Sequence, residues 1–89
     1  MDNNFLSVSL IRHYFTHAAN LEFKAAIITS ENRLGRLDIL PGHANMIAVI
    51  FNSLVIKTVD GATNVYFFTK GILEVSGNSV SLMLEEKID

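Results

Sequence analysis

The stretch Ile39-Leu40-Pro41-Gly42-His43-Ala44 decides how the chain around it can fold. It contains the only proline among the 89 residues. Proline fixes φ at about −65°, and glycine accepts a positive φ without steric cost. Pro41 and Gly42 therefore fit the second and third positions of a type II turn. Apolar residues flank the stretch on both sides, so we predict a tight turn that joins two strands.

Outward from this turn, alternating apolar and polar residues predict further strands. In the first of them Leu6, Val8 and Leu10 share one face, with serines between them, which is the period-2 pattern of a half-buried strand. The other strand-like segments are 21–29, 37–40, 46–51, 54–59, 64–69, 72–75 and 80–84. About eight or nine short strands and no helix predict an all-β sandwich or a closed barrel.

Glycine, asparagine, aspartate and serine mark the connections between these strands. We predict a turn at Ala18–Asn20, an exposed loop at Ser30–Arg36, a hairpin loop at Asp60–Thr63 and a turn at Ser76–Ser79. Gly71 interrupts an otherwise strand-like run, which predicts a β-bulge or a close approach of two backbones at this residue.

The composition excludes several classes of function. There is no cysteine, which removes disulfides, thiolate metal sites and cysteine nucleophiles. The net charge is −2 and no basic stripe exists, so we expect no nucleic-acid partner. The longest apolar run, Met46–Phe51, is far too short to span a bilayer, so any membrane association should be indirect.

Two segments resemble the N-terminal domain of the epsilon subunit of F-type ATP synthases. The family has a stretch of the form Gly-x-Leu-Gly-Ile-Leu-Pro-Gly-His-Ala. The matching residues are Gly35, Leu37, Ile39, Leu40, Pro41, Gly42, His43 and Ala44, with Asp38 in place of the second glycine. The family also has an aromatic residue, Gly-Gly, an apolar pair, Glu-Val and a turn with Asn. Residues 67–80 fit this pattern, with Lys70 in place of the first glycine.

The resemblance implies a two-layer β-sandwich of roughly ten short, mostly antiparallel strands. It implies a non-catalytic subunit without a cofactor, which sits on the central stalk and couples ion flow to ATP synthesis and hydrolysis. Its partners would be the gamma subunit and the membrane c-ring. The expected location is peripheral, on the cytoplasmic face of a bacterial inner membrane, or on an organellar inner or thylakoid membrane in a eukaryote.

The family usually adds a C-terminal helical hairpin that inhibits ATP hydrolysis and in some members binds ATP. Here only a short charged tail, 85–89, follows the last predicted strand. We therefore expect a single β-sandwich domain over residues 1–89, without the hairpin and without the roles that the hairpin carries.

The same resemblance assigns a partner-binding site for the c-ring and gamma. We expect it to comprise Ser30, Glu31, Asn32, Arg33, Arg36, Asp38, Pro41, Gly42 and His43. The family often has an acidic residue where Arg36 stands, so the charge presented to the ring should differ here. Charges at the rim of an interface chiefly set its register and on-rate.

Two alternatives stay open at this point. One is a β-sandwich adaptor that serves another partner. The other is a small ligand-binding or enzymatic domain in which Asp38 meets His43, although no nucleophile or second acid is marked. His13 and His17 have the spacing of some metal sites, but on one strand they would lie about 13 Å apart. We therefore predict no metal site.

Overall fold

The computed structural model describes residues 5–14 and 17–86, and within them the chain forms six β-strands and no helix. The strands are β1 (Leu6–Tyr14), β2 (His17–Asn32), β3 (Gly35–Ile39), β4 (Met46–Thr58), β5 (Thr63–Ser76) and β6 (Ser79–Glu86). The predicted all-β class is confirmed. In this part of the chain no helix is long and apolar enough to cross a membrane.

The strands close on themselves. Their order is β1-β6-β5-β4-β2-β3, and β1 also pairs with β2, so five strands form a ring and β3 extends β2 at its edge. The β1–β6 pair is parallel and every other pair is antiparallel. The smallest dimension is 20 Å, which fits two layers stacked about 10 Å apart with side chains on both outer faces. The ring is therefore flattened into a sandwich.

Bulges let the long strands pass from one layer to the other. Phe51 pairs with Lys70 and Asn52 pairs with Phe68, so Thr69 is an extra residue on β5. Asn52 has a φ of 73° at this point, which asparagine tolerates better than most residues. A second register shift, between Ala25 and Ile27 on β2, bends that strand in the same way.

These bends correct the expected strand count. The segments 46–51 and 54–59 belong to one strand, β4, and the segments 64–69 and 72–75 belong to β5. Asn52-Ser53 and Lys70-Gly71 interrupt the hydrophobic pattern because the chain changes layer there, while the backbone pairing continues. Six strands in the described residues, several of them long and bent, therefore take the place of the roughly ten short ones that were expected.

The core lies between the layers and receives apolar side chains from all six strands. Its fully or nearly fully buried members are Leu6, Val8, Leu10, Ala25, Ile28, Ile39, Ile50, Leu54, Ile56, Phe68, Leu73, Val75, Val80, Leu82 and Leu84. The alternation seen in the first strand thus points Leu6, Val8 and Leu10 inward, as predicted.

Two predicted connections are wrong. Ala18–Asn20 lies inside β2 and pairs with β1, because the antiparallel ladder begins directly at His17. The loop predicted for Ser30–Arg36 is mostly strand, and only Arg33 and Leu34 form the turn between β2 and β3. Pairing with β3 draws this polar segment into the sheet. The hairpin loop before β5 and the turn at Gly77–Asn78 are confirmed.

Gly71 is a close-approach residue as well as a neighbour of the bulge. A Cβ atom added there would lie 2.8 Å from Leu84 Cδ2, 2.9 Å from the carbonyl oxygen of Met83 and 3.3 Å from Ile50 Cγ1. One of these atoms belongs to the backbone of β6, so the clash cannot be relieved by a side-chain rotation alone. The glycine lets β6 and its core leucine approach the bend.

Replacing Gly71 with alanine should destabilise the domain by about 1–3 kcal/mol, the usual cost of overpacking a well-packed core. The measurement is the urea unfolding midpoint at constant m-value. Glu74→Ala is the control, because Glu74 is an exposed residue of the same strand. Its effect should stay within about 0.5 kcal/mol. Equal losses in both variants would contradict a specific clash at Gly71.

Candidate partner-binding surfaces

The Pro-Gly corner has the predicted geometry. The N–H of His43 donates to the carbonyl of Leu40 over 3.1 Å, which closes a four-residue turn. Gly42 has a φ of 84°, the positive value that the third position of a type II turn requires. The type II turn predicted from Pro41 and Gly42 is therefore confirmed.

Two asparagines hold this corner against the turn between β5 and β6. The N–H of Gly42 donates to Asn78 Oδ1 over 2.9 Å, and the N–H of Gly77 donates to Asn45 Oδ1 over 2.8 Å. The carbonyl of Asn78 also accepts the N–H of Ser7 over 2.8 Å. Each turn thus supplies a side-chain acceptor for a backbone donor of the other, which fixes the orientation of the corner.

His43 and Asp38 do not form the pair that an enzymatic alternative needs. The His43 ring bonds the carbonyl of Ala44 through Nδ1 at 2.8 Å. Asp38 instead accepts hydrogen bonds from Thr29 Oγ1 at 2.8 Å and from Arg36 Nε at 3.1 Å. Both partners of Asp38 lie on the β2–β3 hairpin, because Asp38 faces Thr29 across the ladder and Arg36 lies two residues back on the same strand face.

This small network explains how an aspartate fits where the resembling family has glycine. Asp38 lies within β3, so its backbone is that of an ordinary strand residue. Hydrogen bonds from Arg36 and then Thr29 lower the pKa of its carboxyl group. Arg36 is exposed, but its charge is balanced by Asp38 at contact distance. The prediction that Arg36 offers its charge to a partner is thus weakened by an internal ion pair.

The tip of the β2–β3 hairpin is polar at its base and apolar at its end. Glu31 accepts a hydrogen bond from the Asn52 side chain, and Asn32 Oδ1 accepts the N–H of Leu34 over 2.8 Å. Arg33 is exposed, and Leu34 is 98% exposed. A leucine this exposed is a marker of a contact surface when other apolar groups lie beside it.

Ser30 is the exception among the predicted contact residues. It is only 5% exposed, and its hydroxyl donates to the carbonyl of Ser53 over 2.6 Å. Ser30 therefore lies inside the sheet and joins β2 to β4, and its expected surface position is wrong. The hairpin residues Glu31–Arg33 and the corner Pro41–His43 lie at opposite ends of β3, which is about 13 Å long.

A groove lies between the hairpin tip and the first half of β4, and we call it the β4 groove. Its volume is about 490 Å³. One wall is the tip, residues 32–34, the other is residues 46–49 with Phe51, and Lys70 also lines the groove. The hydrophobic pattern of the sequence did not predict this groove. The groove depends on where the pairing between β2 and β4 ends, and the pattern does not show that position.

A second surface was not predicted at all. Val49 pairs with Ile72, Ile72 with Met83 and Met83 with Ile11, so these four side chains form one row across four strands. We call it the outer row. Val49 is 45% exposed, Ile72 49% and Met83 48%, and Ile11 is half-buried. The only sequence signal is an apolar residue on the polar face of each strand, which becomes meaningful once the register is known.

No metal site emerges from the part of the chain that the structure describes, where no three His, Asp or Glu side chains cluster. His13 and His17 lie on neighbouring strands, so the spacing expected for one strand does not apply. The side chain of His17 lies outside the described residues.

The model of one protein family matches most of the chain. The family of the ATP synthase delta/epsilon chain β-sandwich domain matches residues 17–88. The chain belongs to this family. A curated relative, the ATP synthase epsilon chain of Clostridium botulinum, is 38% identical over 56 residues, which cover 62% of this chain and 42% of that protein. The epsilon chain of Corynebacterium aurimucosum is 31% identical over 67 residues, which cover 73% and 55%. The chain thus spans about half the length of these relatives.

Solved structures share the sandwich fold of the delta/epsilon family domain. A chain of the mitochondrial ATP synthase of Euglena gracilis, in a structure of OSCP, F1 and c-ring, superposes with a TM-score of 0.79 at 18% identity, over 91% of this chain and 51% of that one. A chain of the Tetrahymena thermophila central stalk and c-ring gives 0.70 at 20% identity, over 94% and 66%. The similarity confirms the expected β-sandwich.

The hydrogen bonds at Asp38 predict a specific response to pH. Because the pKa of Asp38 is lowered in the folded protein, its contribution to stability is present above its ordinary pKa and is lost as pH falls through the lowered value. Carboxyl NMR titration should place the pKa of Asp38 below its ordinary value. Arg36→Gln should move it back up, since Arg36 is the largest cause of the shift.

Asp60 is the internal control for this titration. Its pKa is also lowered, by hydrogen bonds from the Thr58 side chain and the Ala62 backbone, and Arg36 has no part in that shift. Arg36→Gln should leave the pKa of Asp60 where it is. An Asp38 pKa that does not respond to Arg36→Gln would show that the ion pair is absent in solution.

Proposed function

We propose that this chain is the β-sandwich domain of an epsilon-type central-stalk subunit in a rotary F-type ATP synthase. In this role it is non-catalytic, needs no cofactor and couples ion flow to ATP synthesis and hydrolysis. The observation that carries the proposal is the family match over residues 17–88, which runs through β2 to β6. The domain would reach the membrane only through its complex, on the cytoplasmic face in a bacterium.

The outer row is the surface we assign to the gamma subunit. It is apolar, spans β1, β4, β5 and β6, and has polar neighbours on both sides. On one side the adjoining cross-strand positions are Glu74 and Ser81, next to the exposed Ile47. Lys70 and Glu85 face each other on the other side. An apolar centre inside a polar rim is the usual anatomy of a protein interface.

The hairpin tip and the Pro-Gly corner are the surfaces we assign to the polar loops of the c-ring. The exposed and half-exposed members are Glu31, Asn32, Arg33, Arg36, Asp38, Pro41, Gly42 and His43. Ser30 supports them from inside the sheet. Because Asp38 balances Arg36, Arg33 supplies the uncompensated positive charge of the tip.

The gamma assignment is tested by placing charge in the outer row. The double variant Ile72→Glu/Met83→Glu should weaken binding to the cognate gamma subunit by about 30-fold or more. Two apolar side chains that gamma would bury in the complex would become unpaired charges. Affinity is measured by isothermal titration calorimetry. Phe67→Glu is the matched control, since Phe67 is 70% exposed on β5 but lies outside the row. Unchanged affinity in the double variant, or an equal loss with Phe67→Glu, would contradict the assignment.

The ring assignment is tested by reversing the charge of the hairpin tip. Arg33→Glu should lower ATP-driven ion pumping in membrane vesicles by about twofold to fivefold, the scale of a rim charge. Binding to gamma should not change. Lys57→Glu, an exposed cation elsewhere on β4, serves as the control and should pump normally. Full coupling in the Arg33 variant would contradict a ring contact at this tip.

A further inference from the structure

The first half of β4 is an exposed sheet edge. Residues 55–58 of β4 pair with β2, but Met46–Phe51 pairs only with β5. In an antiparallel ladder every second residue points its N–H and C=O away from its partner strand. Among the described strands none pairs with that side of Met46–Phe51. Proline and charged residues usually protect a sheet edge from pairing, and this stretch contains neither.

The β4 groove runs along this edge. Its volume of about 490 Å³ lies within the range of sites that bind ligands. Ile47 is 70% exposed and Val49 45% exposed on one wall, and Leu34 stands on the other. The groove therefore offers backbone hydrogen-bonding groups and apolar side chains together, which is what an added strand requires.

Charge is distributed unevenly along the groove. Lys70 faces Phe51 across the ladder, and Arg33 lies on the hairpin tip at the same groove. These two cations are the charged side chains among the described residues that line the groove, and no carboxylate is among them. Glu85 faces Lys70 from β6 but lies outside the lining. Towards the other end Glu74 faces Ile47 across the ladder. The groove lining is thus positive at the Phe51 end, and Glu74 adds a negative charge beside the Met46 end.

We propose that Met46–Phe51 binds an extended segment of a partner protein as an added strand. The segment carries β-branched apolar residues along the groove and carboxylates at the end beside Arg33 and Lys70. Glu74 excludes carboxylates from its opposite end, so the charge gradient sets its direction. The proposal stands on the open edge and does not depend on the assignment of gamma or the c-ring.

The test is an NMR titration of the 89-residue chain with a synthetic probe, the acetylated and amidated peptide Asp-Glu-Val-Thr-Val-Thr-Lys. Amide shifts should concentrate in Met46–Phe51 and at Arg33–Leu34. Arg33→Glu and Lys70→Glu should each weaken binding by about threefold, and by about tenfold together, as expected for exposed charge contacts. Lys57→Glu should bind like the wild type. Methylating alternate backbone nitrogens of the peptide should abolish binding, because strand addition needs those donors.

Three results would overturn the proposal. One is the absence of binding at millimolar peptide. Another is binding elsewhere, seen as shifts centred on Ile11, Ile72 and Met83 or as an affinity that both charge reversals leave unchanged. The third is a concentration-dependent change at Met46–Phe51 without peptide, which would show that a second copy of the chain takes the edge. None of these results bears on the gamma affinity or the pumping measurements, so the proposals fail separately.

Discussion

The joint bend of β4 and β5 is the constraint on which the rest of the structure depends. Thr69 is an extra residue opposite the step from Phe51 to Asn52, and the missing Cβ of Gly71 makes room for Leu84. Because both strands turn together, their ladder continues through the corner, and backbone groups inside a sandwich need that pairing. The same two strands then supply the core of both layers, with Ile50 before the bend and Leu54 after it.

The bend also creates the surfaces that the proposed function uses. Only the second half of β4 pairs with β2, so its first half is a sheet edge and the β4 groove lies beside it. Val49 lines this groove and is also the first member of the outer row, because it lies in register with Ile72. The Pro-Gly corner that introduces β4 is fixed by Asn45 and Asn78. The outer row, the hairpin tip and the Pro-Gly corner are the surfaces to which the proposed function assigns partners.

Local patterns predicted much of the fold. They failed for features that depend on the register between paired strands. Period-2 alternation identified the strands, and Pro41-Gly42 identified the turn, since both depend on near neighbours alone. The alternation could not show that segments 46–51 and 54–59 belong to one strand. A β-bulge interrupts the alternation of apolar and polar residues in the same way as the end of a strand does. Burial of Ser30 follows from its hydrogen bond to Ser53, which lies 23 residues away in the chain. The outer row needs three ladder registers at once. The ion pair between Arg36 and Asp38 could have been predicted from the sequence, because residues two apart on a strand lie on the same face.

The proposed function requires the outer row and the hairpin tip to meet different partners at the same time. A cryo-electron microscopy structure of the chain purified with its native complex tests this most directly. One protein should pack on the outer row around Ile72 and Met83, and a different one should contact the hairpin tip at Arg33. An outer row open to solvent in the assembled complex, or both surfaces covered by a single partner, would contradict it.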